Sequence, residues 1–257
     1  MSEVRVLHEG AGLLVVAKPP GTLVIPGRGE GEVSLREQLE AQLRRKVFVV
    51  HRLDRDTSGV LVFALDAERH RALSVAFEAG QVRKRYLALV EGRVEAPRLV
   101  DEALVPARKG RMRLARPGEA GKPSRTRIRP VETFAKTSLV EAEPLTGRTH
   151  QIRVHLLGQG HPLLVDHQYG RAEPLTRREL GGEGDAVVLS RTPLHAARIE
   201  WPALPGVEAG AVEAPLPGDM AQALALLRSA GEQPEVVGLG LETRAVLHLD
   251  EDGSGGA

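Results

Sequence analysis

The chain alternates short apolar runs with longer segments in which apolar residues recur every three or four positions. The short runs are rich in Val and Leu and are bounded by charged or Gly-containing turns, a pattern that predicts β-strands. They cover residues 4–8, 13–17, 47–50, 60–64, 85–91, 124–129, 137–143 and 194–201. A further strand is predicted within 238–249, and the acidic, Gly-rich residues 250–257 are expected to be disordered.

The longer segments predict helices that begin after Ser34 and over 67–79, 149–157 and 219–229. Ser34 is followed three residues later by Glu37, the signature of a capping box at a helix start. Gly80 is placed to end the second helix, and Asp219 is expected to cap the last one. Strands and helices alternate too irregularly for repeated βαβ units, which favours an α+β fold with a mixed, mainly antiparallel sheet.

One charged segment, HRLDRDTSG at 51–59, interrupts two of the apolar runs. Unpaired charge is costly in a core, so we expect a loop at the sheet edge whose turn is formed by Thr57, Ser58 and Gly59. Asp54 lies between two arginines, which favour its ionised form. An ionised carboxylate of this kind suits a nucleophile or base that acts on an anionic substrate. The alternative is a solvated, salt-bridged loop.

The composition is that of a globular protein and excludes sites that depend on cysteine. The 257 residues can bury a substantial core, and the 42% hydrophobic and 27% charged fractions are ordinary for a globular protein. The lack of cysteine excludes disulfides, thiolate zinc sites and iron–sulfur clusters. No apolar run approaches 18 residues and the N-terminus lacks a signal-peptide pattern, so we expect a soluble, cytoplasmic protein.

The net charge of +1 conceals an uneven distribution. Residues 107–129 contain nine cations and a single acid, Glu119, whereas residues 230–257 contain six acids and one cation. A basic segment is typical of phosphate contacts, and Arg108, Arg111 and Arg113 are the candidates here. A solvated loop is the alternative.

Several motifs resemble those of the RluA family of pseudouridine synthases. The His-Arg-Leu-Asp and Thr-Ser-Gly of 51–59 resemble the catalytic loop of that family. In the family's order the chain also carries KPPG at 18–21, KRY at 84–86, TGRTHQIRVH at 146–155, GHPL at 160–163 and LHA at 194–196. The likeness extends from about residue 4 to about residue 217.

The resemblance implies a central sheet crossed by a cleft and the isomerisation of specific uridines in structured RNA, a ribosomal or transfer RNA stem-loop. It implies a catalytic domain over residues 1–230 with no appended N-terminal RNA-binding domain, followed by a tail at 231–257. Neither a cofactor nor a metal is expected, no membrane is involved, and we expect a monomer.

The resemblance also implies residue roles. Asp54 would be the catalytic nucleophile or base, since Asp56 falls at a variable position of the motif. Arg153 would pair with Asp54 through its bidentate fork. Tyr86 would lie against the uracil, although a tyrosine on a strand is more often a core residue. Arg52 would help to extrude the target base, with a phosphate contact as its alternative.

The histidines of these motifs do not predict a metal site. His150 and His155 are five residues apart, roughly 140° around a helix, and so do not form the i, i+4 pair of a zinc site. His161 and His195 are expected to be structural residues, hydrogen-bonded near the cleft. The alternative functions are a non-catalytic RNA-binding or ribosome-assembly factor on the same fold, and a glycosidase-like hydrolase, which needs paired carboxylates.

Overall fold

A large mixed sheet forms the centre of the structure, a computed structural model that describes residues 3–27 and 31–230 and the backbone of 235–236. The strands are β1 (Val6–Gly10), β2 (Leu13–Lys18), β3 (Phe48–Val49), β4 (Ser58–Ala64), β5 (Arg83–Glu91), β6 (Arg98–Asp101), β7 (Leu104–Pro106), β8 (Met112–Leu114), β9 (Arg125–Thr133), β10 (Thr137–Pro144), β11 (Leu175–Thr176), β12 (Val187–Leu189), β13 (Leu194–Trp201), β14 (Gly210–Glu213) and β15 (Glu235–Val236). The helices are α1 (Leu35–Leu43), α2 (Ala67–Glu78), α3 (Gln151–Gly158) and α4 (Gly218–Ser229).

Eleven of these strands pair in the order β1-β2-β4-β13-β5-β10-β9-β15, with β3 beside β4, β6 beside β9 and β14 beside β13. The pairing of β4 with β13 is parallel, and the other pairings among the described strands are antiparallel. Strands β7 and β8, and strands β11 and β12, form two separate hairpins. The predicted α+β class with a mixed, mainly antiparallel sheet is confirmed.

Alternation along the central strands divides the core between the two faces of the sheet. On β2, Leu14 and Val16 belong to the cluster that includes residues of α1 and α3, whereas Leu13 and Val15 pack with α2. Helix α4 covers the rest of that second face, against the β5 residues Leu87 and Leu89. Tyr86 lies on the first face, in the same cluster as α3.

Local signals in the sequence predicted several element boundaries correctly. The capping box of α1 is present, with Ser34 Oγ accepting the Glu37 N–H while the Glu37 carboxylate accepts the Ser34 N–H. Gly80 takes a φ of 68° just after α2, as a residue that ends a helix commonly does. Strand β13 matches the predicted 194–201. The predicted strand at 238–249 and the disordered segment 250–257 lie outside the described residues.

Two local predictions are wrong. Asp219 does not take the cap position of α4, which begins at Gly218 with Pro217 as its cap. The Asp219 carboxylate accepts from Nε and Nη2 of Arg191, at 2.7 and 2.8 Å, and from the Met220 N–H at 2.8 Å. The loop after β3 is not at the sheet edge, because β4 lies inside the sheet between β2 and β13.

Ser58 and Gly59 therefore belong to a central strand and not to a turn. Gly59 has a φ of 114°, and a Cβ there would stand 2.1 Å from the Ala196 carbonyl oxygen. Glycine is needed at this position because β4 and β13 approach each other closely.

The four helices were also compared with the requirements of a membrane span. Among the described residues, none combines the length and the apolar character that a membrane-spanning helix needs.

Candidate active site

The Asp54 loop, residues 50–57 between β3 and β4, is held by two cations from distant segments. Lys18 is 1% exposed, and its Nζ donates to the carbonyls of Arg55 and Thr57, at 2.7 and 2.8 Å, and to that of Pro19, at 2.9 Å. Burial lowers the pKa of Lys18 to about 7. Arg191 Nη1 donates to the Asp56 carbonyl at 2.9 Å. Backbone carbonyls of the loop are thus paired with buried donors, which fixes the backbone that carries Asp54.

Two histidines anchor the ends of this loop. At its start, His51 Nε2 accepts the Val62 N–H at 3.1 Å and its ring stacks on Phe77; desolvation lowers the pKa of His51 to about 3, so the ring is neutral. At its end, Ser58 Oγ lies 3.0 Å from His195 Nδ1. His161 Nδ1 lies 2.9 Å from a backbone carbonyl of β5. His161 and His195 are hydrogen-bonded, as the sequence predicted.

Acid is expected to destabilise the fold through His195. This side chain is 2% exposed, and desolvation lowers its pKa from 6.5 to about 4. The unfolded chain therefore binds a proton more readily than the native one, and the stabilisation is present above pH 6.5 and lost as the pH falls towards 4. The free energy of unfolding should decrease by roughly 3 kcal/mol between pH 7 and pH 4 through this group.

Denaturant titrations at a series of pH values measure this effect in the native sequence and in His195→Gln, whose amide does not titrate. The variant should lose less stability on acidification by about the stated amount. Parallel pH dependences in the two proteins would show that His195 is not the group responsible.

Helix α3 delivers Arg153 to the loop. The helix begins at Gln151, two residues later than predicted, because His150 has the left-handed φ of 54°. The Gln151 amide donates to the Arg125 carbonyl at 2.9 Å and to Thr126 Oγ1 at 3.0 Å, which ties the first turn to β9. Arg153 is 7% exposed on this turn.

Arg153 connects two carboxylates. Its Nη1 donates to Asp54 Oδ2 at 3.0 Å, while its Nε and Nη2 donate to the two oxygens of Asp166 at 2.8 and 2.7 Å. The predicted contact with Asp54 is present, but the prediction that it is bidentate is wrong, since the fork is occupied by Asp166. Asp54 Oδ1 receives no hydrogen bond from any residue that the structure describes, and the Asp54 side chain is 31% exposed. One carboxylate oxygen is therefore held by Arg153, and the other has no donor among the described residues.

Tyr86 and Arg52, the other two residues to which the family resemblance gave a role, differ in exposure. Tyr86 is 8% exposed on β5, and burial together with the charge of Asp54 raises its pKa, so it keeps its proton at neutral pH. Arg52 is exposed on the Asp54 loop. The structure thus brings Asp54, Tyr86 and Arg153 into one electrostatically linked group, with Arg52 on the adjoining surface.

Comparison with known proteins identifies the family of this chain. Residues 12–157, more than half of the chain, match the RNA pseudouridylate synthase family. Ribosomal large subunit pseudouridine synthase D of Nitrosomonas europaea is 38% identical over 237 residues, covering 88% of this chain and 66% of that protein. The chain belongs to the RluA family of RNA pseudouridine synthases. It is an isomerase.

Further relatives and solved structures share most of this chain. Ribosomal large subunit pseudouridine synthase C of Vibrio cholerae serotype O1 is 38% identical, covering 88% of this chain and 70% of that protein. The chain thus spans about two thirds of the length of these relatives. The structure of human RNA pseudouridylate synthase domain containing 1 matches with a TM-score of 0.72 and 25% identity over 96% of this chain and 95% of that chain. Human RNA pseudouridylate synthase domain containing 4 matches with a TM-score of 0.69 and 26% identity over 87% and 93%.

Sequence reasoning missed three residues of the site. Asp166 holds the Arg153 fork, and Arg191 holds the loop carbonyl of Asp56. The Tyr169 ring lies under the Arg153 guanidinium, with its centroid 4.9 Å from Cζ. Asp166 follows directly on the buried Leu163, Leu164 and Val165, and an acid at the end of an apolar run is the signal that could have revealed it.

The basic segment is a structured hairpin and not a simple loop. Strands β7 and β8 pair around the turn at Arg108–Gly110, and the Tyr169 hydroxyl accepts the Met112 N–H at 2.7 Å, which ties the hairpin to the site. Arg108 and Arg111 are exposed. Arg113 donates twice to Glu119, at 2.7 Å each, so its fork is already occupied.

Other cations of the segment also have acidic partners that come from neighbouring strands. These pairs are Arg125 with Asp101, Arg127 with Glu143 and Arg129 with Glu141. The count of nine cations against one acid therefore overstates the positive charge that this surface offers to RNA. Among the described residues no group of three His, Asp or Glu side chains could hold a metal ion.

Replacing Arg108 and Arg111 together with glutamine is expected to weaken binding to many RNAs alike. If both side chains contact phosphates, the slope of log affinity against log salt should decrease by about 1.4–1.8, from 0.7–0.9 per contact. Arg113→Gln is the matched control, since this guanidinium must leave Glu119 before it can bind a phosphate, and it should change the slope less. Binding isotherms across a salt series measure this slope for each variant. An unchanged slope in the double variant would identify a solvated hairpin.

Proposed function

We propose that the enzyme isomerises uridines in the ribosomal RNA of the large subunit, with Asp54 as the catalytic carboxylate. The observation that carries this proposal is the unequal setting of the two Asp54 oxygens. Oδ2 accepts from Arg153 Nη1, whereas Oδ1 has no donor among the described residues, and the side chain as a whole is 31% exposed. The names of the relatives from Nitrosomonas europaea and Vibrio cholerae supply the substrate class.

The reaction breaks the bond between N1 of uracil and C1′ of the ribose, turns the base and joins its C5 to C1′. An ionised carboxylate serves either as a nucleophile toward C1′ or as a base on the ribose that opens a glycal route. In both routes Asp54 Oδ1 is the reacting atom. Arg153 keeps the carboxylate aligned, because its guanidinium is itself immobilised by Asp166.

Tyr86 and Arg52 act on the base in this proposal. Tyr86 lies on the same face of the sheet as α3, close enough to Asp54 for that charge to raise its pKa, and would contact the uracil. Arg52 is exposed two residues before Asp54 and would occupy the space that the extruded nucleotide leaves. Extrusion costs a few kcal/mol, which the phosphate contacts of the hairpin would help to offset. The lack of a cofactor or metal, the cytoplasmic location and the monomeric state stay predictions.

Tritium release from RNA labelled at C5 of uridine tests the proposal. The protein should release tritium from large-subunit ribosomal RNA, and mapping of the product should place pseudouridine at a small number of positions. Release from transfer RNA alone would correct the substrate class. Binding of RNA with no release from any transcript would favour the alternative, a non-catalytic RNA-binding or assembly factor.

A further inference from the structure

His150 occupies a strained backbone position beside Asp54. Its φ of 54° and ψ of 19° place it in the left-handed region, just before α3. Four non-glycine residues of the described chain have a positive φ, and the others are Ala11, Arg44 and Lys109. A side chain in this region costs on the order of 1 kcal/mol, so such strain is informative where it lies at a site. Here it directs the ring to Asp54, with His150 Nε2 3.8 Å from Oδ2.

The hydrogen bonds of Tyr169 favour one ring nitrogen of His150 as the protonated one. The Tyr169 hydroxyl oxygen accepts the Met112 N–H at 2.7 Å and lies 2.7 Å from His150 Nδ1. Burial raises the pKa of Tyr169, so the hydroxyl keeps its hydrogen at neutral pH. Among the described residues, His150 Nδ1 is the acceptor within reach of that hydrogen, which favours donation from the hydroxyl to Nδ1.

The charge state of the His150 ring bears on which of its nitrogens carries the proton. Desolvation lowers the pKa of His150, with Asp54 and Asp166 acting to raise it and Arg153 to lower it further, so the imidazole is neutral at neutral pH. A neutral ring that accepts at Nδ1 carries its proton on Nε2. The N–H on Nε2 therefore lies on the side of the ring that faces Asp54 Oδ2.

We infer that His150 is a positioning residue for Asp54. It presents a second N–H to Oδ2, the oxygen that Arg153 already holds, and so keeps Oδ1 turned toward the ribose. The separation of 3.8 Å is longer than a hydrogen bond, and contacts of this kind commonly tighten when substrate binds. This inference rests on the proposed role of Asp54. Through Met112, Tyr169 also joins the basic hairpin to this arrangement.

Two variants separate the ring from the backbone that carries it. His150→Asn removes the imidazole while keeping a residue type that tolerates the left-handed conformation. Tyr169→Phe keeps the ring under Arg153 and removes only the hydroxyl. We expect single-turnover tritium release at saturating enzyme to decrease about tenfold in His150→Asn and somewhat less in Tyr169→Phe. RNA affinity should stay within about twofold in His150→Asn, which leaves the bond between Tyr169 and Met112 in place.

The double variant gives a readout that a merely structural role would not move. Because Tyr169 acts through His150, the double variant should be no slower than His150→Asn alone. His167→Asn is the control, since this exposed histidine contacts the Ser190 carbonyl and should retain full activity. Rate losses that multiply in the double variant, or a native rate in His150→Asn, would overturn the inference.

Nitrogen chemical shifts of labelled histidine test the tautomer without any activity measurement. At neutral pH the His150 ring should be neutral with its proton on Nε2, and this preference should be lost in Tyr169→Phe. A ring protonated on Nδ1 alone would overturn the inference. Failure of the proposed function is distinguishable, because it would appear as an Asp54→Asn protein that still turns over, whatever the tautomer of His150.

Discussion

Asp54→Asn is expected to abolish pseudouridine formation, with a loss of at least about 1,000-fold in single-turnover rate, because an amide is neither a nucleophile nor a base. The substitution keeps the size of the side chain, and the amide oxygen can still accept from Arg153 Nη1. Asp54 is 31% exposed and its Oδ1 has no donor among the described residues, so the free energy of unfolding should change by less than about 1 kcal/mol. Tritium release and denaturant unfolding measure these two quantities.

Asp56→Asn is the control for this experiment. It removes a carboxylate from the same loop, two residues away, while leaving the Asp56 carbonyl free to accept from Arg191. We expect it to retain most of the activity. A tenth or more of native activity in Asp54→Asn would remove Asp54 from the catalytic role, and loss in Asp56→Asn alone would transfer the role to Asp56.

Features set by neighbouring residues could be predicted from the sequence. The capping box of Ser34 and Glu37 involves four consecutive residues, and the apolar runs of β2 and β4 need no distant information to be recognised as strands. The resemblance to the RluA family assigned Asp54, Tyr86 and Arg153 to one catalytic site from the sequence alone. The structure places Arg153 in contact with Asp54 and Tyr86 within the influence of its charge.

Features set by distant partners could not be predicted in this way. The fork of Arg153 binds Asp166, and the loop carbonyls are held by Lys18 and Arg191, contacts that depend on how strands far apart in sequence pack. The same reason explains the error about Asp219, whose local position favoured a helix cap but whose carboxylate binds Arg191. Strands of two to four residues, such as β7 and β8, are too short to show a periodicity.

Arg153 offers the second large effect. Lysine keeps the charge but has no planar fork, so Arg153→Lys cannot hold Asp54 and both oxygens of Asp166 together. We expect single-turnover tritium release to decrease about 100-fold or more while RNA affinity stays within about threefold. Asp166 is 1% exposed and would lose a buried partner, which should lower the free energy of unfolding by about 2–3 kcal/mol.

Arg228→Lys separates the loss of stability from the loss of catalysis. Arg228 on α4 binds both oxygens of Glu132, at 2.8 and 2.6 Å, and Glu132 is 1% exposed, so this pair matches that of Arg153 and Asp166 in form. Arg228→Lys should lower stability by a similar amount yet turn over at the native rate. Equal losses of turnover and RNA affinity in Arg153→Lys would make Arg153 a phosphate contact, and native turnover would make it structural. A large loss of turnover confined to Arg153→Lys would show that catalysis depends on the alignment of Asp54 and not on the general stability of the fold.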